Sequence, residues 1–170
     1  MTKSKLNRMY RVFLLVLFFS TGILACNKNN NVVAQVKAQA SIDDNIITKY
    51  LSDHGLSAIP IDTTGVRYII DTPGTVNSLY TSSTSITVGY TGVLLTTGTT
   101  FAKTGNIHPS FILGQVIRGW QLGIPEVKQG GTITLFVPSR QAYGPYPQSD
   151  YNLPANAVLI FTITVYNVTN

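Results

Sequence analysis

Cysteine occurs once, at Cys26, so no internal disulfide can brace this chain, and its fold must be held by burial and hydrogen bonding. Histidine occurs twice, at His54 and His108, and neither has Cys, Asp or Glu companions at ligand spacing; no metal is expected, and His54 reads as a solvated surface residue. There is no internal repeat and no glycine loop of the kind that cradles phosphate, so no cofactor is expected. Charge is scarce as well. Charged residues make up 11% of the chain, against roughly 25% in ordinary soluble domains. Thr, Ser, Asn and Gly take their place, which suits a β-rich domain outside the cytoplasm.

The formal net charge of +5 arises at one end. Lys3, Lys5, Arg8 and Arg11 precede an apolar run from Val12 to Phe19 and then small residues up to Ala25-Cys26, the layout of a bacterial secretory leader over residues 1–25. Without it, eight basic residues face seven acidic ones, so the basic balance belongs to targeting and no basic face for nucleic acid remains. Ile23-Leu24-Ala25-Cys26 resembles a lipobox, with a bulky Leu24 at its middle position, and places lipid on Cys26. The alternatives are plain secretion with a free thiol, or an uncleaved anchor whose apolar run is short of the ~20 residues a bilayer needs. Residues 26–40 then read as a lipidated cysteine and flexible tether, because the Asn run from 27 has no apolar period with which to bury a core.

Residues 41–63 form a helical extension. Ser41 with Asp44 fits a capping box, Ile42, Ile46, Ile47, Tyr50 and Leu51 recur at helical spacing, and Gly55 ends the run. That apolar stripe has two candidate partners, the main domain or a second copy of the chain. From Thr64 the period changes to two. Val66 to Ile70 is a first strand followed by the turn residues Asp71-Thr72-Pro73-Gly74, and Ser85 to Tyr90 a second with Ile86, Val88 and Tyr90 on one face. Thr132 to Val137 turns Ile133, Leu135 and Val137 inward, and the last strand, Val158 to Val168, alternates Leu159, Phe161, Ile163 and Val165 with Thr162, Thr164 and Tyr166. One apolar face per strand implies a largely antiparallel sheet covered on one side. The segment placed to cover it is a short helix from Val116 to Gly123, which would set Val116, Ile117 and Trp120 on one face. A buried indole there offers a flat floor with one N–H in need of a partner, and a proline ring would suit it.

The strings VGYTG at 88–92, GTTF at 98–101, FILGQVIRGW at 111–120, KQGGTITLFVPSRQAYG from 128 and LPANAVLIF from 153 follow one another in an order that resembles FKBP-type peptidyl-prolyl cis-trans isomerases over about residues 64–168. With its leader and N-terminal helix the chain is also similar to FKBP-like lipoproteins of the Bacteroidetes group. The resemblance implies an α+β fold, a curved antiparallel half-barrel wrapped around one short helix, with residues 64–170 as the isomerase domain. It implies a site with Tyr90 and Phe101 on the wall, Val116 and Ile117 at the rim, Trp120 as floor, Tyr143 as the phenol of the AYG turn and Phe161 on the final strand, all both catalytic and substrate-binding, and Leu153 beside them as substrate-binding. Ile117 would offer its backbone N–H and Tyr143 its hydroxyl to a substrate.

Three positions depart from the family's pattern. Ala102 follows the wall phenylalanine where the family has an acid, Pro109 stands where an aromatic is common, and the stretch GPYPQSDYN at 144–152 is one residue longer, which leaves the alignment of Tyr146 and Tyr151 open. The implied function is isomerisation of proline-containing polypeptides in the cell envelope, on a bacterial membrane to which lipid on Cys26 anchors the chain, facing the periplasm. The alternative, favoured by Ala102, is a low-turnover binding module, a chaperone or a subunit of an envelope complex.

Overall fold

The computed structural model describes residues 23–170, with side chains from residue 31 onward; the leader as far as residue 22 and the side chain of Cys26 lie outside the described residues. The first described element, α1, runs from Ile23 to Asp53 as one continuous helix. The stretch read as a tether is therefore helical. Ala34 to Ala40 is built of Ala, Gln, Val and Lys, mostly good helix formers, and elongating an existing helix needs no second nucleus. What the missing apolar period reports is exposure, since Val32, Val33 and Val36 are more than half exposed. Ser41 accordingly sits inside the helix and caps nothing. The C-terminal end is where the sequence places it, with Gly55 at φ +61° just beyond Asp53. No helix among the described residues is long and apolar enough to cross a membrane.

The chain divides into two compact units, residues up to Gln39 and Ala40–Asn170. The second holds a seven-stranded antiparallel sheet, curved and unclosed. Its strands are β1 (Ile59–Pro60), β2 (Arg67–Thr72), β3 (Ser85–Leu94), β4 (Thr99–Lys103), β5 (Ser110–Ile112), β6 (Thr132–Val137) and β7 (Leu159–Thr169), in the order β1-β2-β6-β7-β3-β4, with β5 beside the start of β3. The fold is thus the α+β half-barrel with a preceding helix, and β6 has the bounds that alternation of Ile133, Leu135 and Val137 specifies.

Both faces of the sheet are used, where the alternation pattern implied one. Inside the curve, Ile133, Leu135, Val137, Leu159, Phe161, Ile163 and Val165 join Ile86, Val88 and Trp120 in the main core. On the other face Phe136 and Ile160 meet Ile47 and Leu51 of α1, with Leu95 and Val158 completing a second core. The apolar stripe of α1 thus packs within the chain. Polar bonds add to it: Asp44 pairs with Arg67, Arg67 also donates to Thr48 Oγ1 at 3.0 Å, and buried Asp43 accepts from Ser139. Asp44, read as part of a cap, is instead one partner in a link between α1 and β2.

The short helix α2 is Arg118–Gly123, shorter than expected at its start. Val116 and Ile117 precede it with extended backbone, ψ 172° and 149°, after a 3-10 turn at Leu113–Gln115. Two glycines bring α2 down onto β6. A methyl added at Gly119 would stand 2.5 Å from Val137 Cγ1, and one at Gly123 2.4 Å from Leu135 Cδ2, both against residues with no exposure. Only a bare backbone fits so close, and the approach seats Trp120 in the core.

Gly119→Ala is therefore expected to lose about 1–3 kcal/mol by overpacking against the stiff Val137, read as a lower urea midpoint with an unchanged slope. An unaltered midpoint would mean that the close approach is not what seats α2.

Candidate functional site

A cavity of about 260 Å³ opens on the concave side, lined by Tyr90, Phe101, Ala102, Phe111, Gln115, Val116, Ile117, Trp120, Tyr143, Tyr151 and Phe161. Its floor is Trp120, 5% exposed. Three rings stand edge-on to the indole: Tyr90 at 5.0 Å between centroids and 81°, Phe161 at 5.4 Å and 89°, and Phe111 at 6.1 Å and 85°. Such geometry sets the positive ring edge against the negative face, and each pair contributes about 0.5–1.5 kcal/mol beyond area burial. Trp120 is thereby fixed from three sides. Its Nε1–H is buried and has no hydrogen-bond partner among the described residues, a costly state for a donor inside a protein.

The wall comes from the β3–β4 pair. Gly92 faces Ala102 and Val93 faces Thr100, so Phe101 is an extra residue without a partner opposite, a bulge in β4. Consecutive strand residues ordinarily point to opposite faces, whereas a bulge re-aims one of them. That is why Phe101 and Ala102 both line the cavity. Phe101 meets Phe161 edge-on at 5.7 Å and 85°, and the crossing depends on Gly92, where an added methyl would lie 2.7 Å from the Phe101 ring.

The rim is held by a side-chain amide. Gln121 on α2 donates from Nε2 to Val116 O at 2.8 Å and to Gly114 O at 3.3 Å, and its Oε1 accepts from Arg118 at 3.1 Å. These bonds pin the extended link that carries Val116 and Ile117. Ile117 O receives Trp120 N–H at 3.0 Å and Gln121 N–H at 3.3 Å. Among the described residues, the N–H of Ile117 donates to no backbone carbonyl outside regular helix and strand bonding.

The remaining groups are tyrosines. Tyr143 follows the 3-10 turn Ser139–Gln141, and Tyr151 ends another at Ser149–Tyr151, where Asn152 at φ 52° turns the chain and Gln148 and Leu153 exchange bonds of 2.9 and 3.0 Å. Tyr151 meets Phe101 at 6.1 Å and 73°, while Tyr146 is 71% exposed. The structure thus assigns to the cavity the member of the pair that the longer loop had left open. Burial, and then the neighbouring Tyr151 hydroxyl, push the Tyr90 phenol above its ordinary pKa; for Tyr143 burial comes first, with Tyr151 and Tyr90 adding to it. Both hydroxyls therefore keep their protons and remain donors across the neutral range.

Seven of the eight positions picked from the sequence, Tyr90, Phe101, Val116, Ile117, Trp120, Tyr143 and Phe161, meet at this cavity. Leu153 does not line it. It is 3% exposed and lies at a separate depression of about 160 Å³ that shares only Phe101 and Tyr151 with the first. Phe111 and Gln115 line the cavity without having been picked from the sequence, while Ala102 and Tyr151, named there as a departure beside the wall and as one of two open tyrosines, both line it. Phe111 had a signal in its place at the head of the apolar run Phe111-Ile112-Leu113; Tyr151 had none, since only the course of its loop decides it.

The family profile for FKBP-type peptidyl-prolyl cis-trans isomerases matches residues 78–166. The chain belongs to that family. The FkpA isomerase of Buchnera aphidicola from Schizaphis graminum is 31% identical over 159 residues, 89% of this chain and 61% of the relative. FK506-binding protein 1 of Candida glabrata is 33% identical over 110 residues, 61% of this chain and 93% of the relative. This FKBP-type chain spans about three fifths of the length of the two Buchnera FkpA proteins. Among solved structures, a peptidyl-prolyl isomerase from Pseudomonas syringae pv. tomato has a TM-score of 0.66 at 24% identity over 79% of this chain and 96% of its own. FkpA from Escherichia coli has 0.63 at 22%, over 99% and 74%. Both share the fold.

Because burial disfavours the phenolates, the unfolded chain releases these protons near the ordinary value of 10.0 while the folded protein still holds them. Above that pH the unfolded state binds fewer protons, so the contribution of Tyr90 and Tyr143 to stability is level below pH 10.0 and declines as pH rises further. Phenolate absorbance should resolve a late-titrating class that shrinks in Tyr90→Phe and Tyr143→Phe. All nine tyrosines ionising together near the ordinary value would refute it.

Proposed function

We propose that this chain is a peptidyl-prolyl isomerase that assists the folding of proline-containing polypeptides in the bacterial envelope, held on a membrane by lipid on Cys26 and facing the periplasm. The observation that carries the catalytic part is the cavity itself, an indole floor enclosed by edge-on rings, with phenols that stay protonated at its wall. The location rests on the leader and on the Ile23-Leu24-Ala25-Cys26 sequence.

Isomerisation of an Xaa-Pro bond requires the loss of amide resonance, across a barrier of ~18–20 kcal/mol that sets an uncatalysed time of roughly 10–100 s. No bond is made or broken, so no nucleophile is needed. The planar amide is the more dipolar form and loses more hydration in a dry apolar cavity; the twisted form has given up resonance and loses less, so desolvation narrows the gap between them. A neutral hydrogen bond made only to the twisted form adds about 0.5–1.5 kcal/mol, roughly two- to twelvefold in rate. One donor alone is therefore a weak catalyst, and the dry aromatic enclosure has to supply most of the effect. Tyr143 O–H and Ile117 N–H are the donors at hand, with the unpartnered Trp120 Nε1–H below them. Trp120, Tyr90, Phe101 and Phe161 would hold the proline ring, with Val116 and Ile117 closing the rim.

A second reading follows from Ala102. The wall next to Phe101 carries a methyl where the family has a carboxylate, and a site without that group could hold proline segments with little turnover, as a binding module, a chaperone or a subunit of an envelope complex.

Exchange NMR on a series of Xaa-Pro peptides, which needs no coupled protease, tests both. Acceleration by the protein well above that of a Trp120→Ala, Tyr143→Phe double variant is expected. Binding without acceleration would replace the isomerase with the binding module, and neither would leave the fold alone. Ala102→Asp separates them further: little change in turnover fits the enzyme, and a large gain identifies the natural protein as mainly a binder.

A further inference from the structure

Among the described residues, Asp43 is the one acidic side chain that is buried, with no exposure, and none of the chemistry above uses it. Carboxylates are almost never fully buried without partners. Its Oδ2 accepts two hydrogen bonds from one residue, Ser139 N–H at 2.9 Å and Ser139 Oγ–H at 2.6 Å, across a separation of 96 positions. Ser139 is itself 1% exposed.

The significance of Ser139 lies in what hangs from it. Its carbonyl accepts Ala142 N–H at 3.0 Å and Gly144 N–H at 2.8 Å, the residues on either side of Tyr143. The same turn is tied at two more points, by Arg140 to Thr63 O at 3.0 Å and Thr64 O at 2.7 Å, and by Gln141 Nε2 to Thr64 O at 3.2 Å. The backbone on both sides of Tyr143 is thus bonded to one residue, Ser139, whose N–H and hydroxyl are in turn held by Asp43 of α1. Asp43, Thr63 and Thr64 all precede the region matched by the family profile, which begins at residue 78.

We propose that Asp43 is a positioning residue for Tyr143: the N-terminal helix sets the placement of the site's phenol through Ser139. The inference rests on the reading of the cavity as an isomerase site, but the placement itself is measurable without a substrate. α1 is a suitable support because Ile47 and Leu51 bury its stripe against Phe136, one residue before the partner of Leu159 at the end of β6. Removing the carboxylate leaves a buried N–H and hydroxyl without an acceptor, so the turn must move to find one, and Tyr143 moves with it.

The test uses the whole protein and four variants: Asp43→Ala, Asp43→Asn, Tyr143→Phe and the Asp43→Ala, Tyr143→Phe pair. In Asp43→Ala the Tyr143 ring resonances should shift and exchange of the Gly144 amide should quicken, while Asp43→Asn, whose amide oxygen can still accept from Ser139, should stay near the parent. Turnover in Asp43→Ala should fall about two- to twelvefold in kcat with KM little changed, the worth of one neutral hydrogen bond made only to the twisted amide. In that background Tyr143→Phe should cost almost nothing more. A general loss of stability would not produce this pattern. Unmoved Tyr143 resonances, or a Tyr143→Phe loss of equal size in both backgrounds, would overturn the proposal. Should Asp43→Ala fail to fold, Ser139→Ala, which deletes the hydroxyl and keeps the N–H bond, enters the same cycle with the same two outcomes. If the parent protein does not isomerise at all, the reading of the cavity fails, and shifted resonances in Asp43→Ala with recovery in Asp43→Asn still decide the placement.

Discussion

The register between β6 and β7 is the constraint on which the rest of the molecule depends. Leu135 faces Phe161 on the concave side and Phe136 faces Ile160 on the other. A strand's side chains alternate with a period of two, so a slip of one residue would send each set to the wrong face. In a sheet buried on one side such a slip exposes one apolar row. Here both rows are buried, one under α2 and one under α1, and a slip would have to break two cores at once. The pairing that places Phe161 beside Trp120 is thereby fixed from a face the cavity never touches.

The cavity follows from that frame and from two backbone details. Gly119 and Gly123 let α2 settle on Val137 and Leu135, which brings the indole to the level at which Tyr90, Phe111 and Phe161 stand nearly perpendicular to it. Rings packed in this way cover one another incompletely, since an edge spans less area than a face. The open side is the cavity. The bulge at Phe101 then turns one more ring inward, and Ala102, carried round with it, adds little bulk to the wall.

Much of this was legible in the residues. The alternation Ile133, Leu135, Val137 specifies β6, Gly55 ends α1, and the order of motifs brings seven residues together at one cavity. Where the pattern failed, the reasons are physical. Phe136 and Ile160 break the alternation, and the runs LFV and VLIF, continuous in apolar residues, are the mark of strands buried on both faces. Weighing only the residues in phase hid the second core. The tether was misread because exposed helix needs no apolar period, and Ser41 fitted a cap rule that holds only at a true helix start. Leu153 was attached to the site by its motif, yet its side chain is spent in the core. Tyr151 could not be chosen over Tyr146 because loop residues carry no period, and the bond pair between Gln148 and Leu153 that orients it joins groups whose meeting no local pattern announces.

The family profile begins at residue 78, yet the unit that holds the sheet begins at Ala40. Between those positions lie the C-terminal half of α1, the edge strand β1 and its neighbour β2, and Thr63 and Thr64, which contribute Ile47, Leu51 and Val66 to the buried residues and the acceptors that tie the turn before Tyr143. Buried aliphatic side chains are worth about 1.5–3 kcal/mol each, and a domain's net stability is only about 5–15 kcal/mol. Removing a segment that carries three of them, together with an edge of the sheet, would therefore cost a large part of the whole. The N-terminal segment from Ala40 is accordingly part of the domain, and the site depends on it both for the register of the sheet beneath and for the turn above.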